Sequence, residues 1–229
     1  MKRTARGIKR LPPRLRWVLL IALAGIAAPT IQSCSSLPLE PWHTEALTAE
    51  FTTRKADEVR TFEDYRRLED RLFAQLEKEV VAQTPTGPTQ ALVRYSRGSA
   101  ADPQGRQPNW NRSFELTAEA PAGGVLLLHG MSDSPYSLRA IGQSLNQHRF
   151  WVLGLRLPGH GTAPSGLLSI HWEDMAAAVR LGMAHLAAKL GDKPIHIIGY
   201  STGATLALDF ALDALDGRSA PVPASLVLI

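Results

Sequence analysis

Three observations in the sequence predict an α/β fold with a mostly parallel sheet and helices on both of its faces. From residue 124 onward, short apolar runs alternate with helical stripes in the order β-α-β-α-β-α-β. The runs are continuous, as in Val125-Leu126-Leu127-Leu128, which suits a strand buried on both sides. The segments rich in Gly, His and Ser fall just after these runs, where ligands bind in such sheets.

The amino-terminal region is organised differently. Met1–Arg16 is basic and Trp17–Ala28 is an apolar run shorter than the ~20 residues a membrane span needs. This is the layout of a secretory signal, assigned to residues 1–33. Ile31-Gln32-Ser33-Cys34 follows and resembles the bacterial lipobox, which implies a lipidated Cys34 and a lipid membrane as partner. A single membrane-anchor helix with an ordinary thiol at Cys34 is the alternative. Either places the body outside the cytoplasm. Ser35 and Ser36 carry no acidic retention signal, which by resemblance favours the outer membrane, on its periplasmic face.

Residues 34–53 hold prolines and no period, the pattern of a tether. Residues 54–84 form an amphipathic helix. Thr61 caps it, with Asp64 three residues on, and Phe62, Tyr65, Leu68 (with Glu69 beside it), Leu72, Leu76 and Val80 make its apolar stripe. Such a stripe is expected to pack on the domain or on another helix, with a membrane-surface role as the alternative. The core occupies residues 85–229. Leu92–Tyr95 and Trp110–Leu116 are expected as edge strands. Gly124–Leu128 is the first buried strand and leads into His129-Gly130-Met131. Ser134 and Pro135 open a helix with Leu138, Ile141 and Leu145 inward. Phe150–Leu155 is the next strand, followed by the turn-rich Leu157–Thr162. A helical stripe runs from Trp172 to Leu190 and stops at Gly191.

Ile195–Gly199 is then a strand, and Leu206, Phe210 and Ala214 mark the inner face of the helix that follows it. Between them stands Gly199-Tyr200-Ser201-Thr202-Gly203. A serine on a tight strand-to-helix turn sits in a strained conformation, and its neighbours two positions away need to lack side chains. The turn lifts the hydroxyl clear of the sheet and leaves the first N–H groups of the helix unpaired. Ser225–Ile229 opens a further strand.

Bulk composition narrows the function. The formal net charge is +4, yet residues 1–33 hold seven basic residues and no acid; without them 18 basic residues face 21 acidic ones, a net −3. That gives no reason to expect nucleic acid as a partner. Cys34 is the one cysteine, so no intrachain disulfide forms, and the seven histidines lack metal-ligand spacing. No cofactor and no metal are expected.

Together, the Gly-x-Ser-x-Gly bend, the His129-Gly130 turn and the Pro158-Gly159-His160-Gly161 loop resemble the α/β-hydrolase superfamily, specifically its bacterial carboxylesterases and monoacylglycerol-lipase-like members, over Trp110–Ile229. The resemblance implies a serine hydrolase of small acyl esters with Ser201 as nucleophile. It also implies oxyanion stabilisation by the backbone N–H groups of Thr202 and Met131. His129 and His160 are read as structural and His196 as a packing residue. In this family the triad runs Ser, then Asp or Glu, then His. The 28 residues after Ser201 contain no histidine, and Asp209, Asp213 and Asp216 lie on a helix as surface charges. The expectation is therefore a part of a longer product, incomplete after the sixth strand, inactive by itself and poorly soluble. A peptidase, thioesterase or acyltransferase would use the same bend, and a non-catalytic envelope lipoprotein would use the same scaffold.

Overall fold

A computed structural model describes residues 38–229, and the account below concerns its compact unit Glu40–Ile229. The residues read as signal and lipobox, Cys34 included, lie outside the described residues.

The architecture follows from the apolar run at residues 123–128. Strand β2 (Gly123–Leu128) is buried along its whole length. It pairs in parallel with β3 (Phe150–Leu155) on one side and β4 (Ile195–Gly199) on the other, so Leu126 faces Leu153 and Ile197 across the two ladders. β5 (Ser225–Leu228) adds in parallel to β4, and β1 (Phe114–Leu116) adds antiparallel to β3, giving the order β1-β3-β2-β4-β5.

Side chains alternate along a strand, so the run must find two separate apolar partners. Leu126 and Leu128, with Leu153, Leu155 and Ile197, pack on helices α3 (Trp172–Leu190) and α4 (Thr202–Leu215). Val125, Leu127 and Val152 face the other way, against Leu138 and the helix that follows it, α2 (Arg139–Gln147). Full burial of each such side chain contributes roughly 2 kcal/mol.

Helix α1 (Phe62–Glu79) joins the first of these faces. Thr61 Oγ1 accepts the Asp64 N–H at 3.1 Å and Asp64 Oδ2 accepts the Thr61 N–H at 3.0 Å, the capping box. Its stripe packs on the domain, with Phe62, Tyr65 and Leu68 in the main core and Leu72, Phe73 and Leu76 in a second cluster with Leu47 and Ala163.

The structure departs from the sequence reading at five places. The helix read over residues 54–84 is confined to Phe62–Glu79, with single 3₁₀ turns at Thr53–Lys55 and Val81–Gln83. Leu92–Tyr95 is a succession of turns rather than an edge strand; Val93 N–H bonds Gln90 O and Ser96 N–H bonds Val93 O. Only Phe114–Leu116 of the stretch 110–116 is strand. On α2, Ile141 is exposed and Gly142 is buried, because Phe114 lies against Gly142 and fills the space above Gly154, where a Cβ would stand 2.7 Å from its Cδ1. In the stretch read as a tether, Leu47, Glu50 and Phe51 are buried.

Glu50 is buried because of Arg156, which is fully enclosed just beyond β3. Its Nη1 and Nη2 donate to the two Glu50 carboxylate oxygens, each at 2.9 Å, and its Nε donates to Glu69 Oε1 at 2.8 Å. Tyr65 Oη donates to Arg156 O at 2.7 Å. Burial opposes the charge on Arg156, but the Glu50 carboxylate, Tyr65 and Glu69 beside it hold the guanidinium protonated well above its ordinary range. Burial pushes the Glu69 carboxyl up, against the pull of Arg156 and Ser113.

Candidate active site

β4 ends at Gly199 and α4 begins at Thr202, so the chain must reverse in two residues. Ser201 takes the strain, with φ 51° and ψ −114°, and it is exposed. A non-glycine residue held so costs on the order of 1–3 kcal/mol and persists where its surroundings fix it. Those surroundings are visible. A Cβ on Gly199 would meet the Gly203 carbonyl and stand 2.6 Å from Ala204 Cα. A Cβ on Gly203 would run into the Leu128 carbonyl and stand 2.7 Å from His129 O. The first glycine thus clears the helix and the second clears the end of β2.

The same contacts bring the turn after β2 against the bend. A Cβ on Gly130 would lie 3.0 Å from Tyr200 Cδ1 and 3.5 Å from Ser201 Cβ. Tyr200 N–H donates to Leu128 O at 2.9 Å and Ser201 N–H to Ile229 O at 2.7 Å. By contrast, the N–H groups of Thr202 and Met131 donate to no acceptor among the described residues. Met131 is half-exposed, and Ser132 beyond it turns the chain with φ 55°.

His129 holds this turn. Its Nε2 accepts the Leu157 N–H at 3.1 Å, which places the proton on Nδ1, 2.9 Å from Gly130 O. Both ring nitrogens are spent, and burial brings its pKa down to about 3, so the ring stays neutral and joins the loops after β2 and β3. His160 Nδ1 lies 2.8 Å from Pro158 O, while its buried Nε2 has no partner among the described residues. Burial lowers the pKa of His160 also. His196 Nδ1 lies 2.8 Å from Ser225 Oγ on the neighbouring strand. A fourth ring, His185, pairs with Glu115 at 2.7 Å, and that carboxylate also accepts from Trp151 Nε1. None of these rings bonds Ser201 among the described residues. Asp213 and Asp216 are taken up by Arg218, at 2.8 and 2.9 Å.

Ser201, Thr202 and Met131 are therefore gathered around one exposed bend, with no base beside them among the described residues. Residues 125–229 match the sequence profile of the alpha/beta hydrolase family. Over these residues the chain is similar to the α/β hydrolases. The chain is 33% identical over 94 residues to a thermostable monoacylglycerol lipase of Bacillus sp. (strain H-257), covering 41% of this chain and 37% of the lipase. It is 32% identical over 104 residues to an uncharacterized protein of Mycobacterium bovis (strain ATCC BAA-935 / AF2122/97), covering 44% and 28%. The chain thus spans about a third of the length of these relatives. Among solved structures it is similar to the metagenome-derived lipolytic enzymes LipS and LipT, with a TM-score of 0.44 and 23% identity over 52% of this chain and 45% of that one.

The sequence did not point to Glu50 and Arg156 as the support of the loop after β3. Gly159 N–H donates to Glu50 Oε2 at 2.8 Å, and Arg156 Nη1 donates to His160 O at 3.1 Å. The available signal was a charge within the apolar run from Val152 to Leu157. Nothing local to that run names its partner.

Proposed function

We propose that this chain is part of an α/β hydrolase that cleaves carboxylic esters through an acyl-enzyme on Ser201. The supporting observation is the bend itself: an exposed, strained serine flanked by two backbone N–H groups, of Thr202 and Met131, that have no acceptor of their own among the described residues. In this reading Ser201 Oγ forms a bond to the acyl carbon and gives up its proton to a base, which passes it to the departing alcohol oxygen. The carbonyl oxygen gains charge and accepts from the two amides, the C–O bond to the alcohol breaks, and water then releases the acid. In this reading the base and its carboxylate come from outside residues 1–229, since none of the rings of His129, His160, His185 and His196 bonds Ser201.

The full-length protein is the object to test. A fluorophosphonate probe should label it covalently, and Ser201→Ala should abolish the label. A folded full-length protein that takes up no probe would refute the reading and favour a binding role for the scaffold. We further propose that Cys34 is lipidated and tethers the protein to the cell envelope. A mass shift on the mature protein that vanishes in Cys34→Ser supports this, and an unmodified Cys34 in mature, membrane-bound protein overturns it.

A further inference from the structure

Beyond the turn that carries Met131 and Ser132 lies a cavity of about 230 Å³ whose polar and aromatic walls are Arg94, Arg106, Asn109, Trp110, Asn111 and Tyr136. Its walls are rich in hydrogen-bond donors and poor in free acceptors. The carboxamide oxygen of Asn109 is spent on the Asn111 N–H at 3.1 Å, and that of Asn111 on Ser134 Oγ at 2.8 Å. Both amides are left with their NH₂ groups. Tyr136 Oη accepts from Arg106 Nη1 at 3.4 Å, and the Arg139 guanidinium stacks 3.6 Å over the same ring. Among the described residues no carboxylate lines this cavity.

The two guanidinium groups lack counter-ions. Among the described residues neither Arg94 nor Arg106 enters an ion pair. Arg94 is half-buried, and its protein partner is the Gly161 carbonyl at 3.3 Å. It also borders two neighbouring cavities, one holding Asp133 and the other Asp102. The Asp102 carboxylate is occupied by the N–H groups of Gly98 and Gln104, at 2.9 and 2.8 Å. With one carbonyl as its protein partner, the half-buried Arg94 guanidinium keeps donors free for an anion from solution. The planar fork of arginine matches carboxylate and phosphate oxygens two at a time.

Position and size limit what enters. Tyr136 is five residues beyond Met131, so their Cα atoms lie within roughly 18 Å of each other. At about 230 Å³ the cavity has room for a compact charged group. We propose that this cavity holds an oxyanion, carboxylate or phosphate, carried by the acyl-ester substrate at the end remote from the scissile bond. This rests on the reading of Ser201 as the nucleophile, and it narrows the substrate class to anionic esters.

Calorimetry on the full-length Ser201→Ala protein tests it with phenyl phosphate, benzoate and the neutral benzamide. At least one anion is expected to bind tenfold or more tightly than benzamide. That advantage should fall at least fivefold in Arg94→Gln and in Arg106→Gln, and persist in Arg218→Gln, whose charge lies elsewhere. Preference for phenyl phosphate points to a phosphate-bearing ester and preference for benzoate to a carboxylate-bearing one. Equal binding of benzamide, or binding untouched by both cavity variants, overturns the proposal. Should Arg94→Gln fail to fold, the exposed Arg106 decides. Absence of fluorophosphonate labelling in the wild type would refute the nucleophile while leaving the calorimetry readable. Labelling without anion binding would refute the cavity alone.

Discussion

Arg156 and Glu50 grip each other through both ends of the guanidinium fork, Nη1 to Oε2 and Nη2 to Oε1 at 2.9 Å, across 106 residues of sequence. The pair is enclosed, and the same carboxylate accepts the Gly159 N–H at the mouth of the loop after β3. Breaking such a pair leaves a buried charge uncompensated. Glu50→Ala should therefore cost about 3–5 kcal/mol in urea unfolding of the full-length protein. Asp70→Ala, which removes the exposed partner of Arg112, should change stability by less than about 1 kcal/mol. Equal losses in the two variants would contradict this account.

His129 makes stability depend on pH. Its pKa falls from 6.5 to about 3 on folding, chiefly through burial. The unfolded chain then binds the proton more readily. The contribution is fully present above pH 6.5 and is lost as pH falls toward the folded value, at about 1.4 kcal/mol per pH unit within that window. His129→Gln keeps an acceptor for the Leu157 N–H and cannot titrate. Its unfolding free energy should vary less between pH 7 and pH 5 than that of the wild type. Parallel profiles would show that His129 is not the titrating group.

The glycines of the bend differ in what they avoid. A methyl group on Gly203 would collide with the backbone carbonyls of Leu128 and His129, which have no rotamer to change. Gly203→Ala should destabilise the protein by about 3 kcal/mol or more, or prevent folding, as overpacking against rigid backbone does. Gly105 meets nothing within 4 Å, and Gly105→Ala should be neutral to within about 0.5 kcal/mol by thermal unfolding.

Met131 separates main-chain from side-chain roles. With an ester that the full-length protein turns over, Met131→Ala should retain kcat within a few-fold, because the proposed donor is the amide. Met131→Pro removes that N–H and should lower kcat by about 10²–10³ while the circular dichroism spectrum is preserved. A similar kcat in both variants would remove Met131 from the oxyanion site.

What the sequence disclosed depended on how local the cause was. The parallel core was legible because Val125–Leu128 and Val152–Leu155 are contiguous apolar runs, the direct trace of burial on two faces, and Ile195–Ile198 is broken by His196 alone. The bend around Ser201 was legible because the reason for Gly199 and Gly203 lies within a few residues of them. The capping box of Thr61 and Asp64 was readable on the same ground. Other features depend on distant partners. Glu69 stood beside the α1 stripe as an anomaly, and its meaning came from Arg156, 87 residues away. Ile141 gave way to Gly142 because Phe114 of β1 needs the room. Tyr95, expected on a strand, stacks on Trp42 and donates to Thr162 O at 3.1 Å. None of these pairings leaves a period in the sequence.

The two unpaired amides at the bend belong to the peptide backbone, so no codon change short of proline deletes either of them. The residues that carry them, a half-exposed Met131 and a partly covered Thr202, are correspondingly free to drift. If the proposed reading of Ser201 holds, selection can alter what lies beside a bound ester at positions 131 and 202 without dismantling the electrostatic apparatus. Such positions are natural first targets for directed evolution of this scaffold.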